Sequence, residues 1–318
     1  MKIGLIGFGN HAQKLINIIS SLNRKVEYKL YNHRENYSKD IEFFKNVHTL
    51  EELFDCDAVF ITSPNDTHFG YLKILIEKYS GYVFCEKPPV TNRDDLKYLE
   101  DVSEKDKKRI YFNFNYRFSP YFESLKNDSK KYSLGNLVTA QILQGHGLAL
   151  KECYKTNWRS DKNLHKTGVI ENYSIHYFDM FVTLFDFPEK YSNFTSSKSP
   201  FGDSIDNSSL SCQFKNGATL NITVSYTTPK VNKISFIFEN GIIEFDTTKR
   251  IYGPREVFDE KGLFDLPPLI VEEELSSSLH DETLNSSIKY FLSIIDNSGE
   301  FEIKQFNSSL QTNRLLFL

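Results

Sequence analysis

Two groups of residues in this 318-residue chain have the types and spacing to do chemistry. The first is Glu86–Lys87 in "FCEKPPV", where two charges stand between an apolar run and two prolines. A double proline forbids a strand from continuing, so the pair sits at a strand end. A lysine there could hydrogen-bond a substrate hydroxyl, and burial beside another charge could bring its pKa toward acid–base range. A surface salt bridge at the strand end is the equal alternative. The second group is Asn172, His176 and Asp179 in "IENYSIHYFDM". Helical periodicity begins at Ile170, so Asn172 and His176, four apart, share a helix face with Asp179 three residues further on. Histidine is the side chain best suited to move a proton near neutral pH. A lone histidine on an apolar helix is usually a hydrogen-bonded core residue. Three polar side chains stacked behind a glycine-containing turn favour a site.

Elements that could position these groups are readable on either side. "MKIGLIGFGNHAQKLINIISSL" runs from an apolar strand through a Gly-x-Gly turn into a helix whose Ala12, Leu15, Ile16 and Ile19 share one face. Gly7 allows the tight turn, Gly9 lets the backbone approach a phosphate, and Ala12 takes the small third position. Free N–H groups at the helix start, around Asn10 and His11, then face an anion. His11 could touch phosphate or be only a tolerated side chain. The next strand, "KVEYKLYNHR", ends on Asn32, His33 and Arg34 with no carboxylate for ribose hydroxyls, which favours NADP over NAD. Alternation continues through "TLEEL", "DAVFITSP", "DTHFGYLKILIEKY", "GYVFCEKPPV", "TNRDDLKYLEDVSEKDKK" and "RIYFNFNYRFSP", the pattern of a doubly wound parallel sheet. Ligands of such sheets bind at the carboxyl ends of the strands, where "TSPNDTH" and "EKPP" lie. After "RFSP" the segments "LVTAQILQG", "SSLSCQFKNGATLNITVSYT" and "KISFIFENGIIEFDTT" have β character, with hairpin turns at "KNG" and "ENG". They predict a mostly antiparallel open sheet, one face for helices and the other for a partner chain.

Composition narrows the class. The net charge is −4, with 40% hydrophobic and 25% charged residues, so no basic block suits nucleic acid. The N-terminus lacks a signal-peptide pattern, and no run approaches the roughly 18 apolar residues of a membrane span. Cys56, Cys85, Cys153 and Cys212 have neither metal-ligand nor redox spacing, which predicts free thiols in a reducing cytoplasm and no metal.

Taken in order, "GLIGFGNHA", "DAVFITSPNDTH", "CEKPP", "NYRFSP", "NWRSD", "TGVIENYSIHYFDM" and "CQFKNGATLNI" resemble the glucose–fructose oxidoreductase / inositol dehydrogenase (Gfo/Idh/MocA) family. The resemblance implies an α/β chain: an N-terminal Rossmann domain over residues 1–118, then an α+β domain over 119–318 with a large open sheet that builds homodimers or homotetramers. It implies nicotinamide hydride transfer at a sugar or cyclitol carbon. By the family pattern Lys87 contacts the reacting hydroxyl or carbonyl and His176 is the general acid–base, with Asn172 in the catalytic group. Glu86 orients Lys87 or the nicotinamide region. Ser63, Pro64, Asn65 and His68 border the cofactor, while Arg117, Trp158, Arg159 and Asp179 lie with the substrate, where an arginine could hold an anionic group. Three departures stand out. Many members carry Asp where this chain has Asn172, which cannot titrate; Asn here is similar to the subset acting on nucleotide-activated sugars, notably UDP-N-acetylglucosaminuronate 3-dehydrogenases. "KTGVI" replaces a run of glycines, and "NRLLFL" is a short ending. A free-sugar or inositol dehydrogenase, a nicotinamide-dependent glycosidase and a nonenzymatic cofactor sensor are the rival readings.

Overall fold

The computed structural model describes residues 1–32, 44–255 and 260–318; His33 and Arg34, assigned above to cofactor choice, lie outside them. The described chain forms two compact units, Met1–Asn115 with Asp281–Phe317, and Tyr116–His280.

The first unit is built on six strands: β1 (Lys2–Ile6), β2 (Glu27–Tyr31), β3 (Phe44–Val47), β4 (Ala58–Ile61), β5 (Tyr82–Glu86) and β6 (Ile110–Asn113). They lie in the order β3-β2-β1-β4-β5-β6, every neighbouring pair parallel. All four residues of β4 and of β6 are buried, as expected of strands covered on both faces. Helices Asn10–Ser21 and His68–Lys78 form where the apolar residues recur at helical spacing. Thr49 and Glu52 make the expected reciprocal capping box at Leu50–Leu53. The charged stretch after β5 forms two helices instead of one. Asn92 caps Arg93–Glu100 through Asp95 N–H, and Ser103 caps Glu104–Lys107 through Asp106 N–H. A cap residue inside a polar run starts a second helix, and composition alone hides it.

The last 37 residues of this unit, Asp281–Phe317, belong to the first sheet's compact body, whereas the sequence reading places them in the second domain. Leu284, Ile288, Phe291 and Leu292 of helix Leu279–Asp296 join Ile3, Leu5, Phe60, Phe84 and Tyr111 in one core. Phe60 and Phe84 stack at 4.6 Å, and Phe291 meets both edge-on at 5.2 Å.

The second unit carries β7 (Leu137–Gly145), β8 (Lys190–Ser196), β9 (Asn207–Gln213), β10 (Thr219–Ser225), β11 (Val231–Phe238), β12 (Gly241–Phe245), β13 (Thr248–Tyr252) and β14 (Leu269–Glu274). Their order is β14-β13-β12-β11-β7-β10-β9-β8, antiparallel except for β7–β10. Both expected hairpins form, β9–β10 around Gly217 and β11–β12 at Asn240–Gly241. Alternating burial along β10 and β12 gives the sheet one packed face, against which Phe181 of helix Ile175–Phe185 meets Phe214 and Phe236. On the other face Ser209–Thr223, Ser211–Asn221 and Thr139–Thr219 pair by hydroxyl and amide hydrogen bonds. No helix of the described residues is long and apolar enough to cross a membrane. Cys56, Cys85 and Cys212 are buried free thiols and Cys153 is an exposed one.

Candidate active site

In the first unit the glycine turn follows β1. Gly7 has φ +87°, and a Cβ there would stand 2.8 Å from Ser63 Cα, so only glycine fits. Gly9 caps helix Asn10–Ser21 with nothing within 4 Å of where its Cβ would be, leaving room for a phosphate above the exposed helix start at Asn10. Ala12 is fully buried on the sheet side. The turn therefore fits a dinucleotide's pyrophosphate, beside the free N–H groups that begin the helix. Asn32 directly follows β2 and is half-buried.

The loop after β4 holds Ser63, Pro64 and Asn65, where Thr67 Oγ1 donates to Ser63 Oγ at 2.7 Å and Asn65–Thr67 forms a 3-10 turn. His68, assigned above to the cofactor border, opens helix His68–Lys78 directly after this turn. Its ring is fully buried, with Nδ1 2.8 Å from the Pro88 carbonyl and Nε2 2.8 Å from the Ser63 carbonyl. Burial holds it below the ordinary histidine pKa despite those two carbonyls. The ring thus lies between carbonyls of the loops after β4 and β5, and as a neutral imidazole it donates to one of them.

Glu86 closes β5 and is buried, while Lys87, half-buried, begins the turn through the cis peptide to Pro88. Glu86 Oε1 accepts from Asn113 Nδ2 at 2.7 Å and lies 2.7 Å from His11 Nε2. Asn113 is its register partner on β6. Ser287 Oγ donates to Asn113 Oδ1 at 2.6 Å and lies 2.6 Å from Tyr111 Oη, so the tyrosine must donate to the serine. Every bond thus points toward Glu86. Burial would raise its pKa, but the His11 charge and the two donors outweigh it and hold the carboxyl below its ordinary value. The same pairing raises His11 above the ordinary histidine value, against desolvation and the charges of Lys87 and Lys14.

In the second unit, Ile170–Ser174 is a wide π-type turn that feeds helix Ile175–Phe185. The turn spoils the simple α-helical spacing of Asn172 and His176, and the two take different partners. His176 is buried and its ring stacks on Tyr116 at 4.6 Å. The Asn172 amide lies 2.7 Å from His165 Nε2, which also faces Glu171 Oε1 at 3.1 Å. Glu171 Oε2 accepts from Thr167 Oγ1 at 2.6 Å, and His165 Nδ1 faces the Arg159 carbonyl at 3.2 Å.

Arg117 and Asp179, both assigned to substrate from sequence, engage each other. Arg117 Nε donates to Asp179 Oδ2 at 2.8 Å and Nη2 to Oδ1 at 2.6 Å, with the side chains 8% and 0% exposed. This two-pronged buried pair ties the start of the unit to its central helix. Arg159 differs: its guanidinium lies 4.5 Å over the Trp158 ring, and Trp158 is exposed. Of the residues now seen at these sites, sequence reasoning missed Asn113, Ser287, Tyr116, His165 and Glu171. Asn113 carried a signal, being an amide in the otherwise apolar and aromatic buried strand "IYFN".

A parallel sheet in this order, a glycine turn over a helix start and a charged strand end are the parts of a nicotinamide-binding oxidoreductase. The chain matches the family model "Oxidoreductase family, NAD-binding Rossmann fold" over residues 1–114 and "GFO/IDH/MocA C-terminal domain" over 125–244, and it belongs to that Gfo/Idh/MocA family. Among relatives, it is 28% identical over 190 residues to glucose-6-phosphate 3-dehydrogenase of Bacillus subtilis, covering 58% of this chain and 54% of the relative. It is 22% identical to inositol 2-dehydrogenase of Salmonella typhimurium, covering 84% of this chain and 74% of the relative. The chain thus spans about half the length of the Bacillus relative. In fold it is similar to levoglucosan dehydrogenase in complex with NADH and levoglucosan, with TM-score 0.79, 16% identity, 100% of this chain and 95% of that one covered. It is also similar to UDP-N-acetylglucosamine 3-dehydrogenase from Acidithiobacillus ferrooxidans, with TM-score 0.75, 15% identity and the same coverages.

Proposed function

We propose that the protein is a nicotinamide-dependent dehydrogenase acting reversibly on a secondary alcohol of a sugar that carries an anionic group, nucleotide-linked or phosphorylated. The dehydrogenase part rests on the family and on its relatives, named for glucose-6-phosphate, inositol and UDP-N-acetylglucosamine. The anionic part rests on one observation: Arg159, stacked on exposed Trp158, makes no ion pair among the described residues, whereas the Arg117 fork is held by Asp179. A cation over an aromatic ring with an open edge is suited to a phosphate or carboxylate beside a sugar face.

A bound nicotinamide dinucleotide supplies the hydride acceptor, or the donor in the reverse direction. When the alcohol is oxidised, its C–H electron pair leaves as hydride and its O–H proton goes to His176, directly or through Lys87. Lys87 stabilises the developing oxyanion, a contribution of about 3 kcal/mol for a preorganised group of this kind. Asn172 cannot take a proton, so its part is to hold geometry, and its amide lies against His165. In this reading the protein works in the cytoplasm and pairs with copies of itself through the open face of the eight-stranded sheet. A sizing column that returned a strict monomer would remove that last element.

The test is nicotinamide absorbance over time with NAD and NADP against nucleotide sugars, sugar phosphates, free sugars and inositols. Turnover concentrated on anionic sugars, with KM raised roughly tenfold or more in Arg159→Ala, supports the reading. Equal turnover of neutral sugars, unaffected by that substitution, moves the function to a free-sugar or inositol dehydrogenase.

A further inference from the structure

The ion pair at the glycine turn carries a consequence for cofactor binding. Its anion is the inner member: the Glu86 side chain is 11% exposed, and the hydrogen bonds running from Tyr111 through Ser287 and Asn113 all end on it. Its cation is the outer member, because the His11 side chain is 39% exposed and stands on the first turn of helix Asn10–Ser21. The pair therefore turns its positive member toward solvent, two residues beyond the Gly9 that leaves room for phosphate. No acidic residue lies in the first turn of that helix to offset it.

We propose that His11 is a cofactor-binding cation: paired with Glu86 as an imidazolium, it binds the dinucleotide's phosphates together with the helix-start N–H groups, so that cofactor binding takes up a proton whenever His11 is neutral. The proposal rests on nicotinamide-dinucleotide binding by the first unit and adds to it a titrating group. The charges that act on His11 are Glu86 and Lys87 at the end of β5, and Lys14 on its own helix, itself paired at 3.1 Å with Asp281 of the C-terminal segment. Glu86 favours the cationic form and both lysines oppose it. The sign follows. Affinity is greatest at pH values where His11 is protonated and falls as pH rises through its pKa, which Glu86 places above the ordinary histidine value.

The experiment is a titration of the full chain with NADH, followed by cofactor fluorescence, between about pH 6 and pH 9, a span that brackets histidine titration. Wild type should lose about fivefold in affinity across the span, the size of one partly solvated charge interaction. His11→Gln should bind at the weak level throughout, without that pH step. Glu86→Gln should keep a step but move its midpoint to lower pH, which a merely structural role for Glu86 would not produce. Lys14 and Lys87 remain in all three proteins, so their own effects cancel. A flat wild-type profile, an unchanged step in His11→Gln, or an unmoved midpoint in Glu86→Gln would each overturn the proposal while leaving the dehydrogenase reading intact. Absence of NADH and NADPH binding at every pH would remove both.

Discussion

At the residue scale, two ion pairs differ in how far their charges are open to water. Arg117 and Asp179 are shielded from water and hold each other in a two-pronged pair. Removing one partner would leave the other charge buried and uncompensated. Asp179→Ala is expected to cost about 3–5 kcal/mol of stability, measured by denaturant unfolding. A loss below about 1 kcal/mol would mean that the pair is a surface feature after all. Glu86 and His11, by contrast, leave the cation partly open. The sequence made Glu86–Lys87 visible because two charges at the end of an apolar strand conflict with burial unless something compensates them. It did not reveal the compensating groups: Asn113 is 27 residues from Glu86, and Ser287 is 174 from Asn113. Hydrogen bonds across such separations are set by the sheet register and by the return of the C-terminal helix, neither of which local spacing encodes. The pairing of Arg117 with Asp179 was hidden for the same reason, since the two lie 62 residues apart in sequence.

At the element scale, the turn before helix Ile175–Phe185 decides how Asn172 and His176 are aimed. An α-helical count from Ile170 put them on one face; the wide turn over Ile170–Ser174 separates their partners instead. The lone glycine of "KTGVI" retains a strict role. Gly168 has φ +56°, and a Cβ would fall 1.9 Å from the Ile205 carbonyl oxygen. Gly168→Ala should therefore destabilise by roughly 3 kcal/mol or more, combining left-handed backbone strain with a main-chain clash. Thermal melts of the variant would show it, and an unchanged Tm would mean that the turn can open elsewhere. Strands with regular apolar alternation, such as β10 and β12, and hairpins with glycine turns were readable before any coordinates. Strand β8, "KYSNFTS", was not, because it is largely exposed and lacks a buried face that would mark its period.

At the scale of the whole molecule, the chain's two ends build one body. The segment after Asp281 supplies Leu284, Ile288, Phe291 and Leu292 to the core of the first sheet and Ser287 to the bonds that reach Glu86. A chain stopped after Ser278 should lose both, giving a first unit that binds NADH at least tenfold more weakly or does not stay folded. Soluble truncated protein with wild-type NADH affinity would show that the sheet closes its core without this segment. Sequence order could not disclose the return, because the amphipathic pattern of Leu279–Asp296 says that a face is buried without saying against which sheet. The proposed hydride chemistry on a sugar carbon depends on Lys87, which follows the buried end of β5. Its most direct test compares wild type with Lys87→Ala in two measurements, single-turnover reduction of bound nicotinamide by a sugar that the wild type accepts, and NADH affinity. The expected rate is lower by about a hundredfold or more, as for loss of a preorganised oxyanion-stabilising group, with affinity within about threefold of wild type. A near-normal rate in Lys87→Ala would contradict it.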